Sequence, residues 1–259
     1  MPFIQVDTRD HVTTITLNRP EVMNAINLTM HQELQEALDA YAADAEQRVC
    51  VITGAGSKAF CAGSDLKEHA ASGNKRAYPR SGYAGLIERF DLDKPVIAAV
   101  NGLALGGGFE VALACDLVIA SDTASFGLPE PLVGAVALGG GLHRLVRQIG
   151  LKPAMGLILS SRRVTAAEGL RMGFINEVVP PDELAGAVGQ WCRDILRASP
   201  MSIRASKQAA MRGQDEANLA DAMRNQSSYP AWVAWAASED AREGPRAFAE
   251  KRPPVWRNQ

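Results

Sequence analysis

Short apolar runs alternate with helical stripes over the first half of the chain, and helical stripes dominate the second. The opening FIQVDTRDHVTTITLN carries two β-rich runs broken at Arg9 and Asp10, which predicts an antiparallel hairpin. Met30, Leu34, Leu38 and Tyr41 then fall at i, i+4, i+8 and i+11, one face of a helix that Asn27 is placed to cap. VCVIT, PVIAAV and DLVIAS predict buried strands, separated by crossovers that suit parallel β-α-β units. From Gly140 onward GLHRLVRQIG, PAMGLILSS, TAAEGLRMG, DELAGAVGQWCRDILRA and SIRASKQAAMR predict helices, with INEVV the one strand-like run. Thr165 with Glu168 makes a capping box, Pro181 and Asp182 suit a first turn, and Pro200 follows the helix that bears Trp191. The expectation is an α/β catalytic body over 1–199 and a helical region over 200–259.

Composition narrows the function classes. The 259 residues suffice for one large core. A formal net charge of −2, with Lys and Arg spread along the chain, disfavours nucleic acid as a partner. The cysteines Cys50, Cys61, Cys115 and Cys192 form no C-x-x-C and fit free thiols in a reducing compartment. The start MPFIQVDTRD lacks a basic then apolar leader, and no apolar run nears the roughly 20 residues of a spanning helix. A cytoplasmic protein without membrane contact is expected. His11, His31, His69 and His143 lack ligand spacing, and neither H-E-x-x-H nor G-x-S-x-G occurs, so no metal is expected. Trp232, Trp235 and Trp256 in the tail are expected to pack an interface or a flap.

Candidate chemistry centres on Glu110 and Glu130. Glu110 follows the triple glycine of NGLALGGGFE, and Glu130 closes SFGLPE. The glycines lie between a strand and a helix whose first amides are unpaired, a place that stabilises an oxygen turning anionic. The loop FCAGSDLKE repeats the theme. Exits from parallel strands lie on one side, so the N–H groups of Ser64 and Gly107 can converge on one oxygen as an oxyanion hole. Gly102, Gly106 and Gly108, with Asp122 further on, also match a dinucleotide loop. No tyrosine is followed four residues later by lysine, which disfavours a short-chain dehydrogenase.

The stretches LNRPEVMNAI, FCAGSDLKE, KPVIAAVNGLALGGGFEVALACDLVIAS, FGLPE and REGPRAFAEKR together resemble the enoyl-CoA hydratase/isomerase (crotonase) superfamily over essentially the whole chain. The resemblance implies a spiral of ββα units with a C-terminal helical trimerisation region, assembled as a trimer or a dimer of trimers. It implies an acyl-CoA substrate, with coenzyme A entering as part of that substrate and no separate cofactor. Ser64 and Gly107 would polarise the thioester carbonyl. Two glutamates resemble the hydratases, which add water to a 2-enoyl-CoA, with Glu110 as water-activating base and Glu130 as α-proton donor. Burial and mutual repulsion would keep one of the pair protonated near neutrality. Val22, Met23, Ala25, Ala62, Asp65 and Leu66 would hold coenzyme A, and Phe248 and Lys251 would reach its nucleotide end from the same or a neighbouring subunit. The alternatives are a specialised dehydratase such as carnitinyl-CoA dehydratase, a Δ3,Δ2-isomerase, a decarboxylase, or a non-catalytic acyl-CoA-binding protein. After Glu130 the chain reads PEPLVGAVALGGGLHRL, a departure from short-chain hydratases that would reshape the acyl pocket around Pro131 and Ala137–Gly139. The segment His69–Tyr83 is expected to be a mobile loop lining that pocket.

Overall fold

The computed structural model describes residues 2–71 and 78–259. Strands β1 (Ile4–Arg9) and β2 (Val12–Leu17) form the expected hairpin, with Asp10 and His11 at φ 49° and 66° in the turn. Asn27 caps α1 (Leu28–Ala43) by accepting the Met30 N–H at 2.9 Å. The chain then makes three similar passes. Each gives a longer strand to one sheet, a short strand to a second sheet, and then a helix. The passes are β3 (Val49–Gly54), β4 (Ala59–Cys61) and α2 (Leu66–Ala71), then β5 (Val96–Val100), β6 (Leu103–Leu105) and α3 (Gly107–Ala114). The third is β7 (Leu117–Ser121), β8 (Ser125–Gly127) and α4 (Gly141–Ile149). These are the ββα units that the resemblance implies.

Helix α5 (Leu151–Ser160), β9 (Val164–Thr165), α6 (Ala166–Met172), β10 (Glu177–Val179) and α7 (Leu184–Leu196) complete the body. The large sheet runs β1-β2-β3-β5-β7-β10, parallel from β2 onward. Its central strands are almost wholly apolar because both faces are covered. Ile52, Ala98 and Ala120 face a core with Leu34, Phe109 and Phe126, while Val51, Ile97 and Ile119 face Leu184, Val188 and Cys192 around α7. The small sheet runs β4-β6-β8-β9, with the first three strands parallel. Asn101 ties the strand ends together, donating to the carbonyls of Gly54 at 2.9 Å and Gly56 at 2.8 Å.

From Pro200 the described structure is helical: α8 (Pro200–Gly213), α9 (Leu219–Asn225), α10 (Pro230–Ala237) and α11 (Glu239–Ala249). Ion pairs Arg204–Asp93 at 2.9 Å and Lys207–Asp116 at 2.7 Å fasten α8 to the body. Glu243 accepts from Arg252 and from the Val255 N–H, folding the tail back. The tail tryptophans divide: the Trp256 indole N–H donates to the Arg197 carbonyl at 2.9 Å, while half-buried Trp232 and Trp235 pack edge to face.

Several expectations are corrected. Helix α7 starts at Leu184, so Pro181 and Asp182 form the turn before it, and Pro200 opens α8 instead of merely following α7. Within His69–Tyr83, α2 extends to Ala71 and Tyr83 begins a single 3-10 turn packed on α1, while residues 72–77 lie outside the described residues. The cysteine expectation stands, since all four are buried and free.

Candidate active site

Three loops leave the carboxyl ends of three adjacent parallel strands of the small sheet. They carry Ser64 after β4, Gly107 after β6 and Glu130 after β8. Ile26 fixes the first loop by donating to the Gly63 carbonyl at 2.8 Å and accepting the Asp65 N–H at 2.9 Å. A parallel bridge of this form turns the N–H of the intervening Ser64 away from Ile26. Gly63, at φ +93°, backs onto the second loop, where a Cβ built on it would lie 3.1 Å from the Gly107 nitrogen. Gly107 opens α3, so its N–H lacks an intrahelical acceptor. Among the described residues neither the Ser64 nor the Gly107 N–H has a protein acceptor. The two proposed donors are thus brought together and left free. Gly106 makes the turn possible at φ 53° and ψ −127°, a conformation that side chains resist.

Glu130 stands against this turn, and Glu110 stands against the glycines that lead into α4. Glu110, the fourth residue of α3, is only 3% exposed, and its Oε1 accepts the Gly141 N–H at 2.9 Å. The amino end of α4 closes over it because Gly139 and Gly141 have no side chains. A Cβ on Gly139 would strike Glu110 Oε2, and one on Gly141 would lie 2.9 Å from its Cγ. Glu130 approaches from the other side, with Oε1 3.0 Å from where a Gly106 Cβ would be. Among the described residues its Oε2 is buried without a hydrogen-bond partner, and a buried acceptor of this kind calls for a ligand or a water. Burial pushes the Glu110 carboxyl up to about 7, with the Glu130 charge adding to the rise and the Gly141 and Gly139 amides and Arg144 opposing it. Burial also raises Glu130. The site therefore holds a proton near neutrality on a pair of interacting acids.

Most of the residues expected to hold coenzyme A lie near one another. Ala62 donates its N–H to the Met23 carbonyl at 3.0 Å, and Arg19 joins the Ala25 carbonyl at 2.6 Å to Asp65 at 2.9 Å. Val22, Met23 and Leu66 expose their side chains in the same segments. Phe248 and Lys251 are not brought to this place within one chain. Helix α11 packs chiefly on α8 and α10, and Phe248 is 87% exposed.

Some residues around the candidate site were not identified from sequence. The glycines at 139–141 were legible, yet their task of admitting the Glu110 carboxylate was not. Tyr83 and Arg144 carried no motif of their own. His31, by contrast, is structural: burial pushes it down to about 4, and its Nδ1 accepts the Ala84 N–H at 2.9 Å. The dinucleotide loop is absent as a unit, because β6 separates Gly102 from Gly106 and Gly108 serves close packing on the Cys61 carbonyl. Among the described residues no group of three or more His, Cys, Asp or Glu side chains could hold a metal ion, and no helix is long and apolar enough to cross a membrane.

Comparison with known proteins decides the family, since a family model described as Enoyl-CoA hydratase/isomerase matches residues 7–259. The chain belongs to the enoyl-CoA hydratase/isomerase family. Among its relatives, a carnitinyl-CoA dehydratase from Proteus mirabilis is 41% identical over 260 residues, covering 98% of each chain. An enoyl-CoA hydratase structure from Mycobacterium tuberculosis superposes with a TM-score of 0.92 at 35% identity, covering 100% of both chains. A carnitinyl-CoA hydratase structure from Mycobacterium avium gives a TM-score of 0.78 at 42% identity, again over 100% of both. The protein is a crotonase-superfamily enzyme of the hydratase/dehydratase class, and the α/β architecture of that family is the one described above.

Proposed function

We propose that this enzyme interconverts a 2-enoyl-CoA and its 3-hydroxyacyl-CoA by syn addition or loss of water, with carnitinyl-CoA as the leading substrate. The observation that carries the chemistry is a buried Glu110 facing a half-buried Glu130 that packs on the Gly106 turn, with one Glu130 carboxylate oxygen unpartnered among the described residues. The Ser64 and Gly107 N–H groups would hold the thioester oxygen and stabilise the enolate. In hydration Glu110 takes a proton from water and Glu130 delivers the α-proton, which requires the single proton of the coupled pair to sit on Glu130 in the reacting state, and in dehydration the roles reverse. The transfers conserve protons and oxidation state, so coenzyme A as acyl carrier suffices without a further cofactor. Likeness to carnitinyl-CoA dehydratases and hydratases at 41% and 42% identity favours their acyl group over an unsubstituted chain. The departure after Glu130 leaves Leu132, Val136 and Leu138 exposed.

We further infer that the enzyme works as a trimer or a dimer of trimers. Assembly would cover these side chains and bring Phe248 and Lys251 of one copy to the coenzyme of another. Buried free thiols fit a cytoplasmic setting.

The test is to follow the conjugated enoyl-thioester absorbance with the dehydrated carnitinyl thioester and with crotonyl-CoA. Wild type is expected to turn over the trimethylammonium substrate with the higher kcat/KM. Glu110→Gln and Glu130→Gln should each lose about 10²–10⁴-fold in rate. Equal or better use of crotonyl-CoA returns the substrate to a plain enoyl group, and conversion of a 3-enoyl-CoA that needs one glutamate alone replaces hydration with isomerisation.

A further inference from the structure

Tyr83 stands between the two residues of the oxyanion hole, and nothing in the acid–base scheme uses it. It opens the single turn Tyr83–Gly85, held to α1 where the Ala84 N–H donates to His31 Nδ1 at 2.9 Å and the two rings meet edge to face at 4.6 Å. From this anchor the phenol lies along Gly107. A Cβ built on Gly107 would fall 2.5 Å from the phenol oxygen and 2.7 Å from Cε1. On the other side the Ser64 hydroxyl donates to the same oxygen over a long 3.4 Å. The backbone of Gly107 lies outside the left-handed region, unlike that of Gly106. Its missing side chain is therefore explained by the tyrosine ring and not by φ.

Tyr83 is 3% exposed, and among the described residues no acceptor receives its own proton. Buried hydroxyls are ordinarily paired, so the free O–H marks a place for a ligand acceptor. We propose that Tyr83 Oη is a third hydrogen-bond donor to the thioester oxygen of the bound acyl-CoA, beside the N–H groups of Ser64 and Gly107. The assignment rests on the acyl-CoA function proposed above. Burial, joined by neighbouring Cys61, pushes the phenol well above its ordinary value, which keeps the proton on it as a donor. The hydroxyl adds to the hole without competing with the glutamates for proton transfer, and it polarises the carbonyl alike for hydration and dehydration.

The experiment uses butyryl-CoA labelled with carbon-13 at the carbonyl, a saturated thioester that hydration cannot consume, and reads its carbonyl stretch by difference infrared spectroscopy. Wild type should move the bound stretch to lower frequency than in water. Tyr83→Phe, which retains the ring against Gly107 and His31, should recover only part of that shift and lose about 10–100-fold in kcat/KM on the enoyl substrate. A full shift in Tyr83→Phe with kcat/KM within about twofold of wild type overturns the role of Tyr83 and leaves the backbone hole standing. Absence of any shift in wild type overturns the hole itself. Loss of the shift in Ser64→Ala with its retention in Tyr83→Phe assigns the added donor to the Ser64 hydroxyl and likewise overturns the proposal.

Discussion

At the scale of single residues, the site works by denying charge to water. Glu110 is buried among glycines, and its carboxyl rises to about 7 although two backbone amides favour its ionised form. Desolvation therefore outweighs hydrogen bonding here. Glu110 and Glu130 titrate as a pair, and the reacting state carries one proton between them. The step near 7 removes that last proton, so kcat/KM should fall about tenfold per pH unit above about 7. Interconversion of enoyl and hydroxyacyl thioesters releases no net proton, so the fall must appear equally in both directions. Profiles measured from pH 5.5 to 9 with each substrate check this. A rise in place of a fall would mean that the doubly ionised pair is the working form.

At the scale of elements, the short strands matter most and were the hardest to foresee. The hairpin, α1, β3, β5 and β7 were legible because their apolar periodicity extends over five or more residues. Ala59–Cys61, Leu103–Leu105 and Ser125–Gly127 are three residues each, too short for alternation to register. Their hydrogen-bond partners come from distant sequence, which no local pattern reveals. The glutamates and the Ser64 and Gly107 loops still stood out as candidates, since glycine turns and acids stay visible without the strands that aim them. Tyr83 was not, because only contact with Gly107 distinguishes it. Glycines near the site also have separable tasks. Gly139→Ala should displace the Glu110 carboxylate and lower kcat while the fold survives, since the obstructing atoms end a side chain. Gly108→Ala would strike the Cys61 backbone carbonyl and should cost about 1–3 kcal/mol or more of stability. Thermal unfolding measured beside kcat for both variants separates the two effects.

At the scale of the whole molecule, the helical tail is tied to the body by the ion pairs Arg204–Asp93 and Lys207–Asp116, while the Glu243 cluster fastens the last residues to α11 within the tail. Large apolar side chains remain outside, including Leu219, Met223, Val233 and Phe248. Sedimentation of the 27.7 kDa chain should give a mass three or six times that of the monomer, and Leu132→Asp should shift it downward. A monomer active at full rate would remove the inter-subunit role of Phe248 and Lys251. The small sheet sets a different limit. Neighbouring strands sit about 4.8 Å apart because backbone hydrogen bonds fix that spacing. The loops bearing Ser64, Gly107 and Glu130 leave successive strands, so β4, β6 and β8 act as a ruler whose divisions are main-chain atoms. Side-chain replacement cannot rescale it. Substitutions after Glu130 or at Tyr83 change the side chains around these loops, while the spacing between the loops stays as the peptide backbone draws it.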